Sequence, residues 1–402
     1  MTSVRGLFFA GNGSLGVPSL YGPSTSSGVR VSEETALRYA VVWACINNIS
    51  SDIAKLPSTI TRKDGASKFI APEHDQYALL TMQPNTIMSA YTFWKAVGIY
   101  EELYGAAFVE IQRNQATSRP IGYRLMCTPY LTDIMIEEGG VKRLYWRDHE
   151  TGGIFPDSDV LRFMTWTLDG INYKSPIQCH RETIGGGIAQ NEMSNEFIGN
   201  GLRTDGYIQS NQPNLNAEQA KQLGGNFQSM LTKWEFPVLP GTAEFKQFGM
   251  PLTDAQFIEN RNYSIADICR IWRMPLHKVN LMENAIKSNI QEQNQEYVND
   301  TLMPRIVSRE QEVNRKVFRN TEMGVYQWDI ETKGLLRGDH VARANYYKAR
   351  LEASSMSPDE IRAAEGENPL PPGQYGDEVR VNLNHIPVSE IQAYINKPQN
   401  AS

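Results

Sequence analysis

Residues Gly11-Asn12-Gly13-Ser14-Leu15-Gly16 carry the G-x-G-x-x-G spacing with which a strand–turn–helix unit seats a dinucleotide pyrophosphate. That chemistry needs a strand before the glycines and a helix opening at their second half. Val17-Pro18 follows instead, with no βαβ pattern around it, so the spacing reads as a chance match. Neither the P-loop spacing G-x-x-x-x-G-K-[ST] nor the zinc motif H-E-x-x-H occurs. The histidines (His74, His149, His180, His277, His340, His385) never stand at metal-ligand spacing and read as surface or packing residues. Asp52, Asp133 and Asp159 suggest no metal cluster either. The acidic pairs Glu101-Glu102 and Glu137-Glu138 could do acid–base work. Their place beside helix ends and turns predicts solvated faces instead. Cys45, Cys127, Cys179 and Cys269 include no C-x-x-C pair, so zinc and a redox dithiol are not suggested, and buried reduced thiols are expected. The residues therefore predict no metal, no cofactor and no enzymatic turnover. A hydrolase or nuclease assembled from dispersed residues is the enzyme-class alternative.

The elements that would position such residues belong to a chain of 402 residues, long enough for two or three packed units. Hydrophobic residues make up 41% and charged residues 21%, an ordinary globular balance. No apolar run approaches the roughly 18 residues of a membrane span, and the N-terminal apolar patch is too short for a signal peptide. The net charge is −6, with Lys and Arg scattered among the acids. A tight DNA binder shows a basic stripe. Either DNA is no ligand, or it is one that must not be held.

Residues 1–28 are rich in Gly, Ser and Pro and read as a flexible arm. One helix is expected from Ser32 to Pro57, with Ala36, Leu37, Ala40, Val41, Ala44, Ile49 and Ile53 as its apolar face. A strand at 58–62, a helix at 90–103 with Phe93, Trp94, Val97 and Tyr100 on one side, and strands at 107–112, 121–125, 133–137, 141–146 and 160–165 complete an α+β half. Ser175-Pro176 opens a helix running to about Asn200, in which Gly185-Gly186-Gly187 predicts a kink or a close neighbour. A helix near 217–232 follows. Thr253 with Gln256 resembles a capping box for a helix that stops at Met274-Pro275. Residues 276–288 lack a period. A long polar helix, 289–319, has Pro304 as its expected kink. A strand at 325–330, helices at 340–353 and from Ser357-Pro358 to Gly366, and a strand at 378–383 end the pattern.

Several stretches, in order, resemble the HK97-like bacteriophage portal family. They are Val31 through Pro57; Gln83-Pro84-Asn85 and Tyr104 through Ile111; Asp159 through Phe163, Asp169-Gly170 and Ser175-Pro176-Ile177. Phe248-Gly249-Met250 through Glu259, continuing into Ile265 through Pro275, is the most specific stretch. Ser288 through Gln293 and Ser357 through Arg362 follow. The likeness covers about residues 30–388. At Asn280 the chain departs from a glycine frequent in the family.

The resemblance implies an α+β portal fold with an α+β wing, a two-helix stem, a small α/β clip, a channel loop and a long supporting helix. Laid on this chain, it gives an arm at 1–28, the first part of the wing at 29–174, stem helices at 175–201 and 253–275, and the clip at 202–252. The channel (tunnel) loop falls at 276–288. The long helix, second wing part and crown-side region fall at 289–388, and a flexible tail at 389–402. It implies a ring of twelve copies at one vertex of a virion capsid, made in a bacterial cytoplasm. That ring would pass double-stranded DNA during packaging and ejection and would meet the terminase large subunit, a head–tail adaptor and the major capsid protein. A minor capsid or adaptor protein is the structural alternative. On this reading Phe257, Ile258, Ile265, Ile268 and Trp272, spaced as one helical stripe, pack the stem on its neighbours. Phe227, Trp234 and Phe236 are candidate partner contacts of the clip. In the channel loop His277, Lys278, Asn280, Glu283, Asn284 and Lys287 are the candidate DNA-facing groups, the lysines meeting phosphates without base readout. An acidic conduit would let DNA slide rather than stick.

Overall fold

A computed structural model describes residues 25–64, 67–138, 140–199, 206–210, 216–232, 243–247, 254–279, 293–332, 340–365, 370–371 and 376–379. The G-x-G-x-x-G stretch and the tail at 389–402 lie outside them. The chain divides into two compact units, Met1–Ile330 and Glu331–Ser402, so the boundary falls inside the span 289–388.

Ser32 caps helix α1 (Glu33–Leu37) through a reciprocal box with Thr35: the Thr35 amide donates to Ser32 Oγ at 3.2 Å and the Ser32 amide to Thr35 Oγ1 at 2.7 Å. The single helix expected to Pro57 is instead two. Tyr39 is extended, and α2 (Ala40–Ala54) starts after it. That break resets the helical phase. The buried face of α2 is Val42, Cys45, Ile46, Ile49 and Ile53, while Ala40 is exposed and Val41 and Ala44 are half-buried. Strands β1 (Ser58–Asp64) and β2 (Ser67–Ile70) and helix α3 (Tyr77–Thr81) follow. Helix α4 (Ala90–Tyr104) is capped by Ser89 and ended by Gly105 in the left-handed region at φ 86°.

Strands β3 (Ala106–Arg113), β4 (Pro120–Met126), β5 (Leu131–Glu138), β6 (Val141–Asp148), β7 (Ile154–Pro156) and β8 (Val160–Met164) match the expected strands and add β7. They form two antiparallel sheets, β4-β3-β8 and β5-β6-β7. Phe108 and Trp146 meet at a ring-centroid distance of 4.5 Å in one buried cluster of both sheets.

Ser175 caps α5 (Pro176–Cys179), as its Ser-Pro start predicts. The helix then breaks at His180, and α6 (Arg181–Gly199) runs without interruption through the three glycines. The glycines are therefore a close-approach surface and not the kink. A Cβ on Gly187 would lie 3.0 Å from Tyr39 Cε1 and 3.2 Å from Ile268 Cδ1. The end of the expected arm is also anchored here. Thr25 is buried against Gly185, and Ser26 donates from its amide and its Oγ to Glu182 Oε2 at 3.0 and 2.7 Å.

Next come β9 (Gly206–Ser210), α7 (Ala217–Thr232) and β10 (Ala243–Gln247). β9 and β10 pair antiparallel, with Ile208 opposite Phe245. Helix α8 (Asp254–Ile271) precedes a 3₁₀ turn at Leu276–Val279. Residues 293–296 are α-helical, Tyr297–Leu302 form a π-helical turn, and α9 (Met303–Lys316) completes the long helix, which stops before Arg319. The distortion precedes Pro304 because proline lacks an N–H and its ring crowds the carbonyl four residues back. Strand β11 (Tyr326–Ile330) returns to β1, Trp328 opposite Ile60, giving the sheet β11-β1-β2. Phe93, Trp94 and Val97 of α4, Leu161 and Phe163 of β8, and Val313 of α9 share the main core with Trp328.

In the second unit lie α10 (His340–Glu352) and α11 (Pro358–Glu365). The Ser357 amide donates to Glu360 Oε2 at 2.8 Å, and the Glu360 amide donates to Ser357 Oγ at 3.2 Å. This is the box that its spacing predicts. Of the strand expected at 378–383, Glu378 and Val379 are not in a strand, and 380–383 lie outside the described residues.

Candidate functional site

The elements that approach the expected channel loop meet at the C-terminal end of α8. Ile268 and Trp272 are fully buried within the chain, and Trp272 Nε1 donates to the Glu102 carbonyl at 3.3 Å. These two residues pack the chain's own core, against the expectation that they pack on neighbouring copies. A stripe on one helix cannot say whether its partner surface lies in the same chain. Ile265 is half-buried. Phe257 and Ile258 lie in α8, and their side chains fall outside the described residues.

After α8 the chain turns at Arg273, whose φ is 52°, and Thr301 Oγ1 donates to the Arg273 carbonyl at 2.7 Å. His277 Nε2 is 2.9 Å from Asn294 Oδ1. Lys278 Nζ lies 3.9 Å from Asp52 Oδ2 and 5.1 Å from the centroid of the Tyr297 ring. Its carbonyl accepts from Asn48 Nδ2 at 3.1 Å. Asp52 also takes a hydrogen bond from the Tyr297 hydroxyl at 3.1 Å and one from Lys55 Nζ at 2.6 Å. Burial, then the Asp52 charge, pushes the Tyr297 phenol up, so it stays a donor. His277 is thus tied to the helix before α9, and Lys278 to α2 and that same helix. Asn280, Glu283, Asn284 and Lys287 lie outside the described residues.

Beneath this outer contact lies one the sequence reading placed in solvent. Glu101 and Glu102 of α4 are both fully buried. Arg309 donates to Glu101 Oε2 from Nη2 at 2.8 Å and from Nε at 3.1 Å. Arg305 grips Glu102 from two nitrogens, Nη2 at 2.9 Å from Oε2 and Nε on the other oxygen. Thr165 Oγ1 donates to Glu101 Oε1 at 2.5 Å. Burial alone would lower the Arg305 pKa, but the Glu102 carboxylate outweighs it, so the guanidinium is held charged. The signal was in the spacing. Phe93, Val97 and Glu101 fall on one stripe of α4, and Arg305 and Arg309 stand one turn apart on α9. Glu137 is exposed, as expected.

Chemically the arrangement joins elements. Each buried carboxylate is matched by a guanidinium, which leaves neither as a general base. Among the described residues no group of three or more His, Cys, Asp or Glu side chains could hold a metal. No described helix is long and apolar enough to cross a membrane. Cys45 and Cys269 are buried, whereas Cys127 is half-buried and Cys179 exposed, which corrects the expectation that all four are buried. Of the clip candidates, Phe227 lies in α7 with its side chain outside the described residues, and Trp234 and Phe236 lie outside them altogether.

Helices α6 and α8 pack on each other on either side of the β9-α7-β10 insertion. Ser264 Oγ donates to Gln190 Oε1 at 2.5 Å, and Ile268 reaches the Gly187 surface.

Comparison with known proteins gives a consistent result. The family described as "Phage portal protein" matches residues 40–366. The portal protein of Enterobacteria phage HK97 is 24% identical over 371 residues, 90% of this chain and 85% of the relative. A probable portal protein of Streptomyces phage phiC31 is 26% identical over 393 residues, 93% of this chain and 84% of the relative. Among solved structures, an HK97-family phage portal protein from Corynebacterium diphtheriae superposes with a TM-score of 0.57 at 14% identity, over 77% of this chain and 98% of that one. The neck of a native gene transfer agent particle, computed with C12 symmetry, contains a chain with a TM-score of 0.55 at 16% identity, over 87% of this chain and 96% of that one.

Proposed function

Because this chain belongs to the phage portal protein family, we propose that twelve copies form a closed ring at one capsid vertex, the conduit for double-stranded DNA during packaging and ejection. The observation that carries this reading is the α6–α8 pair. Two helices packed on each other bracket a β9-α7-β10 unit that leaves and returns at one end, as a stem bearing a clip would. The clip meets the terminase large subunit while DNA enters and a head–tail adaptor afterwards. The wing meets the major capsid protein. The ring turns over no substrate. A net charge of −6 per chain suits a channel through which phosphates slide.

The loop contact with DNA falls to residues 280–288. Lys278 is occupied by Asp52 and Tyr297, so Lys287 is the cation of the loop offered to phosphates, with Asn280, Glu283 and Asn284 beside it. Phe227, Trp234 and Phe236 remain the proposed clip contacts.

Electron microscopy of the purified full-length chain tests the reading. Rings with a central hole and twelve-fold symmetry are expected. Small oligomers without a hole would overturn it. Deleting 213–240 should leave capsids that assemble but stay empty.

A further inference from the structure

Cys45 on α2 and Cys269 on α8 are 224 positions apart in sequence, yet their sulfurs lie 4.0 Å apart. Both are buried, at 0% and 1% exposure. They sit where a wing helix meets the last turn of the stem helix, beside Ile268 and the Trp272–Glu102 contact.

We propose that Cys45 and Cys269 are a latent disulfide site, and that its oxidation covalently ties the stem helix α8 to the wing helix α2. A disulfide needs sulfurs about 2.05 Å apart. Closing the remaining 2 Å falls within the arc a cysteine sulfur sweeps when its side chain rotates between staggered positions. The hydrogen bond from Cys45 is the largest influence on Cys269 and draws its pKa down against the opposing effect of burial. The same contact, with burial, pushes Cys45 up. Cys269 is therefore the sulfur that gives up its proton first, and Cys45 the one that keeps it longer.

The oxidant is a small disulfide of the oxidised-glutathione class. The Cys269 thiolate attacks one sulfur of the small disulfide, forming a mixed disulfide and expelling a small thiolate. That thiolate takes the Cys45 proton. Cys45 then attacks the Cys269 sulfur and expels the second small thiolate, which is protonated by solvent. Two protein thiols are oxidised, one small disulfide is reduced to two thiols, and the chain loses two hydrogens. Because both sulfurs are buried, the reaction waits on local opening and is slower than at exposed Cys179.

The test incubates the natively folded full-length chain with oxidised glutathione, traps remaining thiols with an alkylating reagent after unfolding, and reads tryptic peptides by mass spectrometry. A linked Cys45–Cys269 peptide, two hydrogens lighter than the two reduced peptides together, is expected. It should vanish on adding a reducing agent and be absent from the Cys45→Ala chain. The oxidised chain should also melt at a higher temperature than the reduced one. If Cys179 carries glutathione while Cys45 and Cys269 are both recovered alkylated after prolonged incubation, the proposal fails. It fails equally if Cys45 or Cys269 is found linked to Cys127 or Cys179 instead.

Discussion

Two polar contacts hold the long helix and the segment before it against α2 and α4, and they differ in what water can reach. In the inner one, Glu101 and Glu102 are 0% exposed and their partners Arg309 and Arg305 1% and 7%. In the outer one, Asp52 is 15% and Lys278 32% exposed. An unpaired charge in the inner contact cannot be rescued by solvent, so each partner there is obligatory. In the outer contact water replaces what a lost partner supplied, so either residue is dispensable to folding. The inner contact is thus a fixed joint between α4 and α9. The outer one clasps the base of the proposed channel loop only lightly.

The comparison breaks most visibly in the inner contact. Glu101→Gln or Arg309→Met alone should each cost about 3–5 kcal/mol, since each strands a buried charge. The double variant Glu101→Leu with Arg309→Met should recover most of that, because no charge is left without a partner. Denaturant unfolding of the three chains measures it. Single variants that cost less than about 1 kcal/mol would place the pair with exposed ones and erase the distinction.

Trimming apolar surface beside the inner contact should cost less than breaking a charge pair. Ile268→Val removes the Cδ1 carbon that approaches Gly187, one methylene, for about 0.5–1.5 kcal/mol. Thermal melts of this chain against Arg309→Met rank the two, and a larger loss for Ile268→Val would mean that packing, not charge, governs this region.

The sequence displayed the outline of the fold because its punctuation is local. Ser32, Ser175 and Ser357 each cap the helix their spacing announces. The strand runs bounded by Gly and Asp turns fall where β3 to β6 and β8 form. What stayed hidden depends on contacts distant in sequence. The stripe of α4 marks Glu101 as inward-facing, but nothing local says that it meets Arg309 across 208 positions. Nothing local says that Lys278 is met by Asp52. The apolar stripe of α8 was legible, but its partner was not. Ile268→Asp should therefore abolish the folded chain, seen as loss of near-ultraviolet dichroism, rather than release intact single copies.

A third polar contact tests whether the ranking by exposure extends to pH. Asp157 is 22% and Lys316 5% exposed, and Lys316 Nζ lies 3.1 Å from Asp157 Oδ2. Trp146 Nε1 donates to Asp157 Oδ1 at 3.1 Å, and Arg162 Nε lies 2.9 Å from the same oxygen. Burial raises the Asp157 pKa, but Lys316, Trp146 and Arg162 together outweigh it and hold the carboxyl below its ordinary value. A carboxyl depressed in the folded state adds stability that is complete above the unfolded value and is lost as pH falls through the folded one. Asp157→Asn should accordingly flatten the acid side of the melting-temperature profile and leave the slope near neutrality unchanged. An acid slope identical in the two chains would show that Asp157 does not feel its three partners.

The smallest effect on stability should come from the outer contact, and there it separates holding the loop from touching DNA. Lys278→Ala removes one half-exposed partner of Asp52 and the cation over Tyr297, for no more than about 1 kcal/mol, and less at high salt. Asp52 keeps Lys55 and the Tyr297 hydroxyl, so no buried charge is stranded. Because Lys278 is engaged by Asp52 and Tyr297, its loss should also leave the length of packaged DNA unchanged. Lys287→Ala should do the reverse. It should leave the melting temperature unchanged, while shortening the packaged genome to an extent that varies with salt and not with DNA sequence, as a phosphate contact must. The two single variants, each measured for melting temperature and for packaged length at several salt concentrations, give four readings. If Lys278→Ala shortens the genome and Lys287→Ala does not, the base of the loop and not its far end meets the duplex, and the outer contact must open whenever DNA is in the channel.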